Sequence, residues 1–354
     1  MLRTASPHGL VSGEQPTYLI TGGTGFLGRH ILKSLRRTAP RARLVILARD
    51  DASWDKQTWR NEIGDVEVIA GSLFRIEDWK GDPRIAHLGG IFHLAAIVRH
   101  SRSDPEEMIR TNVDGALSMV RLAAEKKCRL LFSSTAGTVA CSLKNEEGAD
   151  EDAPFCDDAV GSWPYYASKI RAEREARALA QRLCVEMIVF RPPVLLGPED
   201  HRFRSTAHLL RILRGKLPFI LEGEMHFVDV RDAADAMVRA MLHASPKPVY
   251  HLVGTRSTLD EFFRMAAKEA GTEAKWRTLP ARFLLYLARI NEKSGLRFHV
   301  IPDPVVIEMA SHHWGLASRY AEGDLGYRSR PPQETLRDTI KWMRENNPEL
   351  RTAD

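Results

Sequence analysis

Long apolar runs are missing from this 354-residue chain: no segment reaches the roughly 18 to 20 apolar residues of a membrane span. Cysteine is scarce. Cys128, Cys141, Cys156 and Cys184 have no metal-like spacing, so no metal is expected, and reduced thiols in a cytoplasmic protein are the natural reading. Neither sign of charge is in excess. The 51 Lys and Arg against 46 Asp and Glu leave a net +5, too balanced for a nucleic-acid-binding surface but compatible with an anionic ligand. No internal repeat or low-complexity tract is present. Residues 1–16 lack the apolar centre of a signal peptide and carry Pro7, Gly9, Gly13 and Pro16, which reads as a flexible N-terminal extension. What is left is the composition of a soluble globular protein, long enough for one large α/β domain with a smaller lobe.

That protein is organised around one stretch near its start. An apolar run over 18–21 reads as a buried strand. A turn follows with Gly22, Thr24, Gly25 and Gly28, and then Phe26, Leu27, Ile31, Leu32 and Leu35 recur at helical spacing. Strand, glycine turn and helix start together suit a phosphate: the glycines let the backbone come close, and the helix N–H groups and dipole favour negative charge. Further strands are expected over 43–50, 66–70, 90–96, 129–135 and 185–191, with helices over 108–126 and 165–183 between the later ones. The acidic, aperiodic 145–160 segment reads as a surface loop. Alternating strands and helices predict an α/β fold with a doubly wound, Rossmann-type parallel sheet. From Pro192 the pattern loosens. Residues 17–191 are therefore assigned to the Rossmann domain, and 192–354 mainly to a smaller substrate lobe, with some segments returning to the main sheet.

One pair of side chains carries chemistry. Tyr165 and Lys169 stand four residues apart on a predicted helix, hence on one face. The ammonium is expected to lower the phenol's pKa toward working pH, which suits proton transfer to or from a substrate oxygen. Tyr166 lacks such a partner and reads as packing. Thr135 ends a buried strand, at the sheet edge where ligands bind, and its hydroxyl can bond a carbonyl.

The ordered set Thr21-Gly-Gly-Thr-Gly-Phe-Leu-Gly28, His93-Leu-Ala-Ala96, Thr111-Asn112-Val113, Ser133-Ser-Thr135, Tyr165-x-x-x-Lys169, Arg191-Pro-Pro and Asp229-Val-Arg-Asp232 resembles the extended short-chain dehydrogenases/reductases over residues 17–345. The nearest flavour is that of dihydroflavonol-reductase-like and 3β-hydroxysteroid-dehydrogenase-like members. The resemblance implies a nicotinamide cofactor and gives each residue a role. Tyr165 is the general acid/base and Lys169 its pKa modifier and ribose contact. Thr135 binds the carbonyl, and Asn112 supports the proton relay. The cofactor would also meet Gly22, Thr24, Gly25, Phe26, Leu27, Gly28, Arg49, Ser72, Leu73, Leu94, Ala95, Ala96, Ser133, Pro192 and Val194. His93 is expected to pack beside it.

Other absences refine the expectation. The second strand ends Ala48-Arg49-Asp50, with alanine where NAD-specific relatives commonly place an acid. NADP(H) is therefore favoured and NAD(H) kept as the alternative, Asp50 being one residue from the ribose position. The usual Gly-Asp after the third strand is Gly71-Ser72. The acid pair that dehydratases carry after the threonine is Ala136-Gly137. The arginine that holds a nucleotide-sugar diphosphate is Met225, followed by His226. An apolar ketone or alcohol is expected as the small-molecule substrate, walled by 193–196 and by a helix over 283–287. The alternatives are a nucleotide-sugar epimerase/dehydratase and a non-catalytic dinucleotide sensor. A homodimer is left open.

Overall fold

The computed structural model describes residues 15–144, 148–281, 284–286, 288 and 303–350. The expected N-terminal extension lies outside them except for Gln15 and Pro16, as do Phe283 and Leu287 of the expected apolar helix.

Seven parallel strands form the central sheet. They are β1 (Thr17–Thr21), β2 (Arg43–Ala48), β3 (Glu67–Ala70), β4 (Gly90–His93), β5 (Arg129–Ser133), β6 (Met187–Arg191) and β7 (Val249–His251). Their order is β3-β2-β1-β4-β5-β6-β7. Every residue of β1 and β6 is buried, which is why these strands read as unbroken apolar runs: a parallel sheet is covered on both faces. Neighbours along β1 point to opposite layers. Ile20 packs with Ile31 and Leu35 of α1 (Phe26–Thr38) and with Ala233 and Met237 of α4 (Val230–Leu242). Leu19 packs with Val113 and Met119 of α2 (Pro105–Lys126) and, in the same layer, Ala172 and Ala176 of α3 (Pro164–Arg182). The strand order reverses between β1 and β4, so a crevice opens there beyond the strands' carboxyl ends.

After β6 the chain builds a second sheet. Glu224–Asp229 runs parallel to Val194–Leu196 and antiparallel to Thr255–Thr258. Its apolar centre includes Leu196, Phe227, Phe262 and Leu336. The helix Leu259–Ala270 opens with a capping box between Thr258 and Glu261. Two later segments return to the main body: α4 packs on α1, and β7 adds the outer strand beside β6.

Of the expected surface loop over 145–160, residues 145–147 lie outside the described residues, and within 148–160 most residues are at least partly exposed while one acid is not. Glu151 is buried, and its carboxylate accepts from the His251 N–H (3.1 Å), Ser318 Oγ (2.7 Å) and the Arg319 N–H (2.9 Å). Ala149 bridges to Leu316, and Asp157–Val160 is a short helix. An acidic tract signals solvent because carboxylates are seldom buried, and three donors satisfy this one.

Candidate active site

The glycine turn closes on itself: the Gly25 N–H donates to Gly22 O at 2.9 Å, and Gly22 takes a φ of +74° that suits only glycine well. A Cβ on Gly28 would lie 2.2 Å from Gly22 O and 2.7 Å from Gly23 Cα, so the helix meets the turn with no room for a side chain. Thr24, Gly25, Phe26 and Leu27 are half-buried at its mouth. Gly25 gives α1 no side-chain cap, and the first turn carries no acid. The opening N–H groups have no intrahelical acceptor, so this helix end fits a pyrophosphate. A Cβ on Gly22 would meet Ala95 N at 2.8 Å, which places Leu94, Ala95 and Ala96, the residues leaving β4, beside the turn.

At the end of β2, Arg49 is exposed and has no ion-pair partner among the described residues. Asp50 is engaged otherwise. Its carboxylate caps the next helix, accepting from the Ser53 N–H (2.6 Å) and Ser53 Oγ (2.7 Å). Beyond β3, the Ser72 hydroxyl accepts from the Phe74 N–H (3.2 Å), and Trp79 Nε1 donates to the Ser72 carbonyl (2.9 Å). Leu73 faces Gly115 of α2. His93 sits at the reversal point, its Nδ1 2.7 Å from Thr21 Oγ1. Burial pushes its pKa down to about 3, so the ring is neutral and no base for catalysis at neutral pH.

The proposed chemistry gathers at the end of β5. Thr135 is flanked by two bonds to the β6 strand and its exit: the Ser134 N–H donates to Phe190 O and the Ala136 N–H to Pro192 O, both at 2.8 Å. Pro164, which needs no N–H partner, starts α3. Tyr165 and Lys169 then fall on its buried face. The Tyr165 hydroxyl faces the Thr135 side chain, and Lys169 Nζ donates to Ser133 O at 2.7 Å. Asn112 holds scaffolding together. Its Oδ1 accepts from the Ile97 N–H (2.8 Å), and its Nδ2 donates to Ile97 O (3.0 Å) and to Ser168 Oγ (2.9 Å). Pro192 is buried, while Val194 is 43% exposed on the lobe's first strand.

One expectation is corrected. The Tyr165 pKa is not lowered in this structure: burial pushes it up to about 12, with only the Thr135 side chain opposing. Burial also pushes Lys169 down to about 8, against the pull of Glu173. Spacing placed the two side chains on one face but carried no information about the loss of water around them.

The structure adds residues that sequence reasoning missed. The His100 ring lies 5.3 Å, edge-on, from that of Tyr165, and its Nδ1 is buried with no hydrogen-bond partner among the described residues. No motif marked it. Glu173 is buried four residues after Lys169, and that repeat of the four-residue spacing was visible in the sequence. His226, at the position beside the absent arginine, is committed to the fold through Trp314 O (3.3 Å) and the Gly254 N–H (3.1 Å).

The model of the NAD dependent epimerase/dehydratase family matches residues 18–253, which takes in the glycine turn, β5 and the Tyr165/Lys169 helix. The chain belongs to that family. It is an NAD(P)-dependent oxidoreductase of the extended short-chain dehydrogenase/reductase type. Among curated relatives, dihydroflavonol 4-reductase of Zea mays is 29% identical over 249 residues, 65% of this chain and 68% of that one. Cinnamoyl-CoA reductase 1 of Arabidopsis thaliana is 28% identical over 273 residues, covering 74% and 77%. Among solved structures, gox2253 superposes with a TM-score of 0.78 at 26% identity, covering 94% of this chain and 99% of its own. UDP-glucose 4-epimerase of Thermotoga maritima gives 0.70 at 19% identity, covering 93% and 99%, a likeness of fold. Among the described residues no helix is long and apolar enough to cross a membrane, and no group of His, Cys, Asp and Glu is arranged to hold a metal ion.

Proposed function

We propose that this family member uses NADP(H) to interconvert a ketone or aldehyde and an alcohol on a fairly apolar small molecule. The observation that carries the reading is the placing of Tyr165 against the Thr135 side chain at the carboxyl edge of the sheet, with Lys169 held to Ser133 O. The nicotinamide, when bound, supplies or takes the hydride. Thr135 then holds the substrate oxygen, and Tyr165 gives its phenolic proton as that oxygen gains charge. Lys169, tied to Ser133 O, brings positive charge to the phenolate this leaves. Asn112 keeps the Ile97 loop and the helix in place around them.

The apolar substrate is supported by two exposed valines. Val98 (45%) follows β4 and Val194 (43%) follows β6, the strands on either side of the one that ends at Thr135. The 192–354 part is read as supplying most of the substrate wall. Leu284 of the expected apolar helix is buried in a cluster with Leu221 and Ile307, while Tyr286 is 65% exposed. The nucleotide-sugar reading is disfavoured because a buried diphosphate needs cations. Met225 is apolar, and Arg231 is bound to Asp229 (2.8 Å) and Asp338 (2.6 Å). NADP(H) is supported by Arg49, which has no ion-pair partner among the described residues, and by the engagement of Asp50 as a cap.

A panel of aryl, steroid-like and aliphatic ketones and aldehydes, followed by loss of NADPH absorbance, tests the reading. Turnover with members of that panel is expected, with UDP- and GDP-sugars giving no thermal protection. Micromolar binding of a nucleotide sugar, together with no carbonyl reduction, would transfer the assignment to the epimerase class.

A further inference from the structure

A buried ion pair stands behind the reacting residues, and proton transfer does not itself require it. Glu173 lies one turn beyond Lys169 on α3 and is wholly buried. Its Oε2 accepts from Ser134 Oγ at 2.6 Å. Arg191, at the end of β6 and equally buried, donates to it through Nη2 (2.5 Å) and Nε (3.1 Å). Arg177 approaches from the exposed side at 3.7 Å. Arg191 Nη1 in turn lies 3.2 Å from His251 Nε2. His251 Nδ1 faces the carbonyls of Ala149 (3.1 Å) and Ala317 (2.9 Å), so the ring carries its proton there and accepts from Arg191.

Two residues of one helix face thus hold two successive residues of strand end. Lys169 takes the Ser133 carbonyl, and Glu173 takes the Ser134 hydroxyl. Thr135 is the next residue. A buried pair of this kind adds little net stability, since its attraction is offset by lost hydration. What it does supply here is position.

We propose that Glu173 is a positioning residue for the reaction, fixing Thr135 through Ser134 and Arg191 from a place one turn beyond Lys169 on the same buried helix face. This rests on the oxidoreductase reading above. The carboxylate is the one charge that works against the effect of burial on Lys169. His93 of β4, kept neutral by burial, also feels the Lys169 charge, and Tyr165 stands four residues before Lys169 on the same helix. Arg191, Arg177 and His251 surround Glu173 itself.

Glu173→Gln alone would strand a buried guanidinium, so the test uses the double variant Glu173→Gln/Arg191→Met. Folding is checked by circular dichroism, and Lys169 is titrated through its 13Cε chemical shift. A folded double variant is expected to lose about tenfold or more in kcat, with KM and NADPH Kd within about twofold, because misplacement acts on the chemical step. Lys169 should then titrate at lower pH than in the parent. A folded double variant with parental kcat and a parental Lys169 titration overturns the proposal. Should the double variant not fold, Glu173→Asp decides: lowered kcat with a parental Lys169 titration supports the proposal, and parental kcat overturns it. If the parent reduces no carbonyl compound, the oxidoreductase reading fails, and the Lys169 titration, which needs no turnover, still decides the role of Glu173.

Discussion

His93 and Thr21 meet at 2.7 Å, Nδ1 to Oγ1, across the point where the strand order reverses. That contact belongs to a ring kept neutral by burial, with a pKa pushed down to about 3. His30, on α1, is likewise pushed down by burial to about 4. Unfolded, both rings would take up a proton near pH 6.5. Between the folded and unfolded values the unfolded chain binds more protons, so stability is full above pH 6.5 and is lost as pH falls below it. Each ring contributes up to about 1.4 kcal/mol per pH unit in that window. Differential scanning fluorimetry should show Tm falling steadily from pH 6.5 to pH 5. A Tm that is flat over that range contradicts the neutral, buried state of these histidines.

Gly28 tests the cradle. In Gly28→Ala the new methyl would strike backbone atoms of Gly22 and Gly23, which cannot swing aside as a side chain would. Overpacking of this kind destabilises by about 1–3 kcal/mol. Thermal denaturation should show the loss, and NADPH fluorescence titration should show weakened binding. A variant with parental Tm and parental affinity would mean the helix start is looser than described.

The sheet was legible because its strands are buried on both faces and read as continuous apolar runs, as at 18–21 and 187–191. The glycine turn was legible because its spacing has a steric cause: Gly22, Gly25 and Gly28 each mark a place where backbone meets backbone. Tyr165 and Lys169 were legible through the four-residue helical repeat. The buried acid Glu151 was not, since its partners come from His251, Ser318 and Arg319, about 100 residues or more along the chain. His100 was hidden for the same reason: its place beside Tyr165 is set by packing between distant segments. The raised phenol pKa could not be read from spacing, because it comes from the exclusion of water by the whole fold.

Arg49 tests cofactor choice. It is exposed at the end of β2, so Arg49→Ala should leave Tm unchanged. Losing a charge-assisted bond to a 2′-phosphate should raise the Kd for NADPH by about tenfold or more and leave that for NADH within about twofold. Calorimetric titration with both cofactors measures this. Equal weakening of the two would place the 2′-phosphate elsewhere.

The central claim is that Tyr165 moves the proton while Thr135 holds the substrate oxygen. Tyr165→Phe removes one hydroxyl from a ring whose packing is otherwise kept. Its turnover with the best carbonyl substrate, measured by NADPH absorbance beside the parent enzyme, is the most direct test. A loss of about 100-fold to 10,000-fold in kcat is expected, with NADPH affinity nearly unchanged. A variant that keeps turnover within about tenfold of the parent would contradict the assignment, since a general acid of this kind contributes more than that.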